Sequence, residues 1–427
     1  MNSKSDEEIQ RLRRAVEELS ILNEIATAIN STMQVQQIVD LIVRKCLRIL
    51  DVEQAAVMLL DKEKDEKPFQ TMIRLADTSS SILPFRLDAQ LTGWMLKNQK
   101  PLLINAFQQD DHFKEFSEGP FPIRSLLAVP LLSKGRMTGL LTVFNKKSEQ
   151  GYTLDDQRLL SIIGAQSAQI IENTRLLEKE KTLLQMQKEM QMAYAIQINL
   201  LPKENPMLPH YEIAGVSVPA QVVGGDYFDF IQIDANRLAV CLGDVSGKGL
   251  SAALLMANLQ ATIRGQTLLN PPPRDCLCRS NRLLFRCTDP QKFATLFYGI
   301  LDSETHQFCY SNAGHNRPFF YGENQDPVTV EGAGLALSFL ENVTYPQDQI
   351  GFKPDDVLLI YSDGITEAMD SKDEEYGEQR LQELVNGIRR ETAREIIEKV
   401  LDSVKTYIKD REQMDDMTLV VIKRKKD

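Results

Sequence analysis

The chain has 427 residues, which is more than one ordinary hydrophobic core holds and is typical of two domains with connecting segments. Hydrophobic residues make up 43% and charged residues 26%, the balance of a soluble globular protein. The net charge of −11 disfavours binding to nucleic acid. No apolar run approaches the roughly 18 residues that span a bilayer, and the charged N-terminus lacks a signal core. We therefore expect a cytoplasmic protein without a membrane span.

The six cysteines do not form a metal-binding pattern. Cys276 and Cys278 make a C-x-C pair, and neither a second pair nor a histidine cluster accompanies them. Cys241 and Cys309 lie in apolar, strand-like runs, where a thiol behaves as a small core residue. We predict that all six are reduced and structural.

The first half of the chain has the pattern of an α/β domain. Helical periodicity covers residues 1–30, and helices are predicted at 20–32 and 35–50. The predicted strands cover 54–60, 70–75, 101–105, 126–132 and 138–145. This alternation predicts one compact domain over residues 20–175.

A long helical region follows. A helix is predicted to begin near Leu154, with Thr153 or Asp155 as its cap. The segment 170–201 is rich in Leu, Met, Glu, Lys and Gln and reaches Pro202, which is predicted to end it. Two series recur every seven residues: Leu176, Leu183, Met190 and Leu177, Leu184. This spacing suits a coiled coil with a second copy, although an amphipathic helix packed on its own domain has the same pattern.

Residues 203–427 alternate short strands and helices. The predicted strands cover 211–218, 226–233, 237–244, 294–301, 306–311, 356–362 and 417–423. The predicted helices cover 249–265, 273–286, 378–390 and 392–408. This half is therefore predicted to be a second α/β domain.

One hairpin in the second half brings two acidic residues together. If it is centred on Ala235, Asp226 lies directly opposite Asp244. The other pairs on that face are Phe228–Leu242, Phe230–Val240 and Gln232–Leu238. Because this face is mostly apolar, it should point into a core, where like charges about 4 Å apart repel by about 4 kcal/mol. A hard divalent cation between the carboxylates would remove that cost.

Two further aspartates stand at strand ends. Asp363 ends the apolar strand at 357–362, and Gly364 is predicted to permit a tight turn after it. Asp415 leads into the apolar strand at 418–422. Aspartate at a strand end often only caps a turn, so the residues alone leave both a turn role and a metal role open.

Five motifs in the second half together resemble a known family. They are GGDYFDF (224–230), GDVSGKG (243–249), YSNAGHNRP (310–318), YSDGITEA (361–368) and DDMT (415–418). In this order they resemble the PPM metal-dependent protein phosphatases. Within that family they resemble the bacterial SpoIIE/RsbU-like subgroup, which controls stress and sporulation sigma factors.

This resemblance implies an α-β-β-α sandwich that binds two divalent cations, Mn²⁺ or Mg²⁺, at one end of its two sheets. By resemblance, Asp244 bridges the cations, Asp226 and the backbone carbonyl of Val245 serve the second, and Asp363 and Asp415 bind the first. Water activated between the cations would then hydrolyse a phosphoester.

The same resemblance suggests supporting residues and a partner. Asp229 and Asp416 are neighbours within the ligand motifs and are assigned roles around the ligands. The subgroup's substrates imply a phosphoserine or phosphothreonine on an anti-sigma-factor antagonist protein. We therefore expect a protein serine/threonine phosphatase.

The sequence departs from the eukaryotic branch of the family. Ser246 occupies the position of a histidine general-acid candidate, and residues 221–223 lack the phosphate-holding arginine. His315 and Asn312 are polar candidates for the leaving-group acid, although a lone histidine is more often structural. The segment 334–338 differs from the subgroup's pattern ahead of the Asp363 strand and is predicted to alter the flap over the site.

The first half resembles a GAF sensor domain, on the stretches at 22–30, 91–104 and 139–143. GAF domains often bind a small molecule, so an unidentified ligand is expected, although some only dimerise. His112 is expected at the surface and Trp94 in the core.

Together these resemblances divide the chain into four predicted segments, and two alternative functions stay open. The predicted segments are an N-terminal helix (1–19), a GAF-like sensor (20–175), a coiled-coil linker (176–202) that forms a homodimer, and a PPM domain (203–424). A catalytically silent binding platform would keep the fold without turnover. A GAF-linked diguanylate cyclase is suggested by the GGDYF stretch at 224–228, but Tyr227 replaces the glutamate of that signature.

Overall fold

The computed structural model describes residues 20, 34–60, 69–76, 85–110, 123–322, 327–332 and 334–426. The chain divides into two compact units, residues 1–184 and residues 185–427. Of the predicted helix at 20–32 only residue 20 is described, and the predicted surface position of His112 lies outside the described residues.

The first unit contains a five-stranded antiparallel sheet with the strand order β2-β1-β5-β4-β3. Its strands are β1 (Val52–Leu60), β2 (Phe69–Ala76), β3 (Leu102–Ile104), β4 (Leu126–Ser133) and β5 (Arg136–Lys146). The helices are α1 (Val35–Ile49), α2 (Phe85–Asn98) and α3 (Leu154–Ile198), which begins here. All five strands were predicted, whereas α2 was not.

Apolar side chains cover both faces of this sheet. On one face, Ile42 of α1 and Ile163 of α3 share a buried cluster with Val57. On the other face, Met95 of α2 packs in a second cluster with Phe107. Burial on both faces explains why the central strands read as near-continuous apolar runs.

Helix α3 is one continuous element of 45 residues. Its start is fixed by Thr153 and Asp156, because each side chain accepts a hydrogen bond from the other residue's backbone N–H, at 2.9 and 3.2 Å. Thr153 is therefore the cap. The helix ends at Ile198, so Pro202 is not the residue that stops it. Leu176 and Leu183 are more than half exposed in the single chain.

The second unit contains two five-stranded antiparallel sheets, with the orders β13-β10-β9-β8-β7 and β12-β11-β14-β15-β6. Its strands are β6 (Tyr211–Val218), β7 (Tyr227–Gln232), β8 (Arg237–Val245), β9 (Ala294–Asp302), β10 (Gln307–Ala313), β11 (Phe319–Tyr321), β12 (Val328–Thr329), β13 (Asp348–Gly351), β14 (Val357–Tyr361) and β15 (Met417–Arg424). Its helices are α4 (Leu250–Thr267), α5 (Pro273–Cys287), α6 (Asp363–Thr366), α7 (Glu378–Ile388) and α8 (Ala393–Ile408).

Three buried clusters hold this unit together as layers. The middle cluster joins the two sheets, with Val240 and Phe297 from one and Val420 from the other. A second cluster packs α4 and α5 on the first sheet, and a third packs α7 and α8 on the second sheet. The order of layers is therefore α-β-β-α, as predicted. The short strands β11, β12 and β13 were not predicted.

Two other expectations bear on the class of protein. Among the described helices, none is both long and apolar enough to cross a membrane. All six cysteines are free thiols, as predicted.

Candidate metal centre

The hairpin of β7 and β8 positions the first two acidic residues. Its register pairs Tyr227 with Gly243 and Phe228 with Leu242, so the predicted register is confirmed. Continuing it by one residue places Asp226 opposite Asp244. Because Phe228 and Leu242 belong to the cluster between the sheets, the two carboxylates occupy the same face at its open end.

Burial makes the charges on this pair costly. Asp226 is only 4% exposed, and its Oδ2 has no hydrogen-bond partner among the described residues. The hydroxyls of Thr418 and Ser362 lie close enough to lower its pKa, but they donate to Ser217 and to the Asp416 carbonyl, respectively. The pKa of Asp226 is raised well above its usual value, mainly by burial and next by the negative charge of Asp244. The carboxylate therefore lacks the compensation that a buried charge needs.

The carboxylates of Asp363 and Asp415 add negative charge near Asp244. Burial raises the pKa of Asp244 to about 7, and the charges of Asp363 and Asp415 add to the shift. Burial, followed by Asp415, also raises the pKa of Asp363. These groups therefore repel one another across one site, which a bound cation would relieve.

Asp363 reaches the site by a route that differs from the predicted one. Strand β14 ends at Tyr361, and Asp363 opens the single helical turn α6. Gly364 follows because a Cβ there would lie 2.1 Å from the Asp416 carbonyl oxygen. The predicted reason for this glycine, a tight turn, was wrong: its backbone does not have positive φ, and close packing against the neighbouring strand requires it.

Asp415 and Asp416 are neighbours in sequence but differ in burial and in contacts. Asp415 is half-exposed and forms an ion pair with Lys248, with Nζ 3.0 Å from Oδ2. Asp416 is buried, and its carboxylate accepts hydrogen bonds from three backbone N–H groups: those of Ala220 at 2.8 Å, Gly225 at 2.6 Å and Asp226 at 3.2 Å. Asp416 thus holds the loop that carries Asp226, and its role around metal ligands stays a prediction.

A second side chain holds the same loop from helix α3. The Gln197 amide donates to the Gly224 carbonyl at 2.7 Å and accepts from the Gly224 N–H at 3.0 Å. Gln197 is buried. Sequence reasoning missed this residue, because a glutamine in a polar helix has no signal that separates it from its neighbours.

The loop glycines leave room beside two predicted ligands. A Cβ added at Gly225 would lie 3.0 Å from Asp244 Oδ1 and 3.1 Å from the Val245 carbonyl oxygen. Asp244, Gly225 and Asp415 line one small cavity. The donors facing this space are oxygens, the type that Mg²⁺ and Mn²⁺ prefer.

These observations together test whether the residues fit divalent cations. Among the described residues, no group of three or more His, Cys, Asp or Glu side chains lies close enough together to hold a metal ion. Of the predicted ligands, Asp244 and Asp415 line the small cavity, whereas Asp226, Val245 and Asp363 do not. The buried Asp226 Oδ2 lacks a partner among the described residues. An open site of carboxylates and a carbonyl, with raised carboxyl pKa values, fits cations that also keep water ligands.

His315 lies one strand away from the carboxylates. Thr295, which pairs with Asp244 across β8 and β9, makes a 2.9 Å hydrogen bond to His315 Nδ1. Burial lowers the pKa of His315 to about 4, so the ring is neutral at pH 7. Its backbone exchanges two hydrogen bonds with the Asn312 side chain. These contacts favour a positioning role for His315 and Asn312 over proton donation.

Asp229 points away from the cavity. Its carboxylate receives two hydrogen bonds from Arg264 of α4, at 2.7 and 2.9 Å, and one from Tyr227 Oη at 2.8 Å. Asp226 and Asp229 are three residues apart, and alternation along β7 puts them on opposite faces. The structure therefore separates Asp229 from the predicted ligands and uses it to anchor a helix.

Comparison with known proteins extends this picture. Residues 234–425 match the family model described as stage II sporulation protein E (SpoIIE), and residues 32–172 match that of the GAF domain. Asp244, Asp363 and Asp415 lie within the first match, and Asp226 precedes it. Both resemblances inferred from the motifs are confirmed.

Two curated relatives each match a little over half of the chain. The phosphoserine phosphatase RsbU of Bacillus subtilis (strain 168) is 29% identical over 242 residues, which is 56% of this chain and 71% of RsbU. Protein IcfG of Synechocystis sp. (strain ATCC 27184 / PCC 6803 / Kazusa) is 27% identical over 269 residues, 55% of this chain and 41% of IcfG. The chain therefore spans less than half of IcfG.

A solved structure shares the fold of a little over half of the chain. The SiaA-PP2C domain of Pseudomonas aeruginosa aligns with a TM-score of 0.51 at 18% identity, covering 57% of this chain and 98% of that domain. At this identity the match shows the common fold alone.

Proposed function

We propose that the SpoIIE-type protein phosphatase domain of this chain, which follows a GAF domain, hydrolyses phosphoserine or phosphothreonine in a partner protein with two divalent cations. The observation that carries this proposal is the pair of facing carboxylates at the open end of the sheet cluster, in which Asp226 is buried with one unpartnered oxygen and Asp244 is partly buried. A buried pair of this kind is unfavourable unless a cation lies between the carboxylates.

The proposed ligands follow from the geometry and the family motifs. Asp244, Asp226 and the Val245 carbonyl would hold one cation, and Asp363 and Asp415, with Asp244, the other. When bound, Mn²⁺ or Mg²⁺ lowers the pKa of water and offsets charge on the phosphoryl oxygens.

The remaining groups prepare this site. Gln197 and Asp416 hold the backbone on either side of Gly225, so the Asp226 carboxylate is oriented before any cation arrives. His315 makes a hydrogen bond to Thr295, and Thr295 is the residue of β9 that pairs with Asp244. The prediction that His315 donates a proton to the leaving group stays open to test by His315→Gln, which keeps a polar side chain but cannot act as an acid.

Hydrolysis of a phosphoserine peptide tests the proposal directly. We expect turnover by the full chain with Mn²⁺, none with EDTA, and none with Asp244→Asn. Asp402→Asn, an exposed carboxylate on α8, is the matched control and should leave turnover unchanged. Turnover that survives EDTA or Asp244→Asn would contradict the two-cation proposal. Folded protein that binds a phosphoprotein without turnover would support the silent platform instead.

The partner is proposed to be a phosphorylated anti-sigma-factor antagonist. What supports this is the five-motif resemblance to the SpoIIE/RsbU-like subgroup. Phosphate-affinity gel electrophoresis of such a protein, incubated with the chain and Mn²⁺, should show loss of the phosphorylated band. A band that persists while a phosphoserine peptide is hydrolysed would rule out this partner and keep the enzyme class.

We also propose a homodimer through α3 and residues 1–30. The exposed Leu176 and Leu183, seven residues apart, support this, because each apolar side chain would be covered by a second copy. Disulfide crosslinks placed along 176–198 should change activity with a seven-residue rhythm. A flat response, or a monomer in sedimentation, would contradict the coiled-coil linker. A ligand for the GAF domain remains a proposal without an assigned chemistry.

A further inference from the structure

The second half of the motif GDVSGKG has no part in the proposed ligand set. Asp244 and Val245 are used, but Gly247, Lys248 and Gly249 are not. Both glycines have left-handed backbone, with φ of +97° and +72°, which strains any other residue. Lys248 therefore lies between two residues with left-handed backbone, which define the direction of its side chain.

That direction is toward the metal centre. Lys248 Nζ lies 3.0 Å from Asp415 Oδ2 and donates to the Met414 carbonyl at 2.6 Å. Lys248 lines the cavity together with Asp244 and Asp415, and it is the only basic residue among the described residues that do so. Its side chain is half exposed, so the ammonium can reach a group that arrives from solvent.

A phosphorylated substrate needs such a cation. Phosphomonoesters carry close to two negative charges near neutral pH, and an acidic cavity repels them. The arginine that holds phosphate in related enzymes has no match, because residues 221–223 are Gln-Val-Val. Lys292 is near, but it donates to the Ser246 carbonyl at 3.3 Å and does not line the cavity.

We propose that Lys248 binds the phosphate of the substrate and that its contact with Asp415 is a resting position. The inference rests on the proposed phosphatase function and names the group that replaces the missing arginine. A lysine ammonium on a flexible stem is a point charge that binds phosphate well. With Asp415 serving as a cation ligand, the Lys248 ammonium would lose its ion pair, keep only its hydrogen bond to the Met414 carbonyl, and could turn to the phosphate.

The test compares Lys248→Gln and Lys248→Arg with wild type and with Lys372→Gln, an exposed lysine remote in sequence that controls for lost charge. Calorimetry measures the binding of inorganic phosphate to the Mn²⁺-loaded full chain and, separately, the binding of Mn²⁺ to the metal-free chain. Hydrolysis of a phosphoserine peptide gives KM and kcat. Lys248→Gln should weaken phosphate binding and raise KM by about tenfold each, with kcat within about twofold. Lys248→Arg should restore most of both losses.

The Mn²⁺ titration separates this role from a structural one. Removal of the competing ammonium should leave Mn²⁺ affinity unchanged or tighter. Weaker Mn²⁺ binding in Lys248→Gln, or unchanged phosphate affinity, would overturn the inference, because the lysine would then only orient Asp415. If wild type hydrolyses no phosphoserine peptide, the proposed function fails, while the phosphate titration still decides the role of Lys248.

Discussion

Gln197 makes two hydrogen bonds to the backbone of Gly224, two residues before Asp226. A side-chain amide can donate to a peptide carbonyl through its NH₂ and accept from an N–H through its oxygen at the same time. The end of a long helix thereby sets the position of a candidate metal ligand.

Gln197→Ala should therefore loosen the Asp226 loop. It leaves the Gly224 N–H and carbonyl buried without partners, which costs about 1–3 kcal/mol. We expect weaker Mn²⁺ binding by calorimetry and lower turnover, with the domain still folded. Asn199→Ala is the control, because Asn199 is exposed and bonds only its own helix, at the Ala195 carbonyl. Mn²⁺ affinity equal to wild type in Gln197→Ala would show that Asp416 alone holds the loop.

Asp244→Asn should remove activity and yet stabilise the metal-free protein. Burial and the neighbouring aspartates raise the pKa of Asp244 to about 7 from 3.8. An acid whose pKa is raised in the folded state contributes stability that is present below about pH 4 and is lost as pH rises to about 7. The gain in Tm of Asp244→Asn over wild type, measured in EDTA, should therefore grow between pH 5 and pH 8.

Saturating Mn²⁺ supplies the control for this pH series. Bound cations stabilise the ionised carboxylates, so wild type should gain Tm with Mn²⁺ at pH 8 and the mutant should gain much less. A mutant whose Tm falls below wild type in EDTA at pH 8 would mean that Asp244 stabilises the fold through contacts other than charge.

Gly364→Ala should destabilise the second unit. The added methyl would lie 2.1 Å from the Asp416 carbonyl oxygen, so β15 and α6 must move apart, at a cost of about 2–3 kcal/mol. Gly387→Ala in α7 is the matched control, since nothing lies within 4 Å of its Cβ position. We expect it to stabilise by about 0.5–1 kcal/mol through helix propensity. Urea unfolding measures both, and equal effects would refute the close approach.

The pair formed by Asp229 and Arg264 should show strong coupling. Arg264→Met leaves the fully buried Asp229 carboxylate without its cation, and because Arg264 is itself half exposed we expect a loss of about 2–3 kcal/mol. Adding Asp229→Asn should recover part of this loss. A double-mutant cycle by urea unfolding gives the coupling energy directly. Additive single losses would mean that Tyr227 and the backbone satisfy Asp229 without the arginine.

Local pattern predicted much of this site. The Asp226–Asp244 pairing followed from a turn flanked by alternating apolar residues, because strand alternation and a short turn together define a register. The α/β class of the second unit followed from the order of strands and helices, whereas its α-β-β-α layering was implied by the family resemblance. The short strands β11, β12 and β13 were missed, since two to four residues are too few to establish alternation.

Long-range contacts explain most of what the sequence did not reveal. The reason for Gly364 depends on the carbonyl of Asp416, the residue before β15, more than fifty residues away in the chain. The Gln197–Gly224 contact spans 27 residues and has no periodic signature. The orientation of Asp229 is different, because the odd spacing from Asp226 already implied opposite faces.

Asp226, just before β7, faces the candidate metal centre, and Asp229 of β7 faces helix α4 on the opposite side. This arrangement limits the insertions that the chain tolerates. One extra residue in the Asp234–Asn236 turn, if absorbed by sliding β7 along β8, would turn Asp226 toward the helix and Asp229 toward the cavity. Two extra residues would keep each side chain on its own face but move Asp226 past Asp244. Length variation in the second unit should therefore be accommodated in its other loops, and this turn should keep a constant length wherever the metal centre is retained.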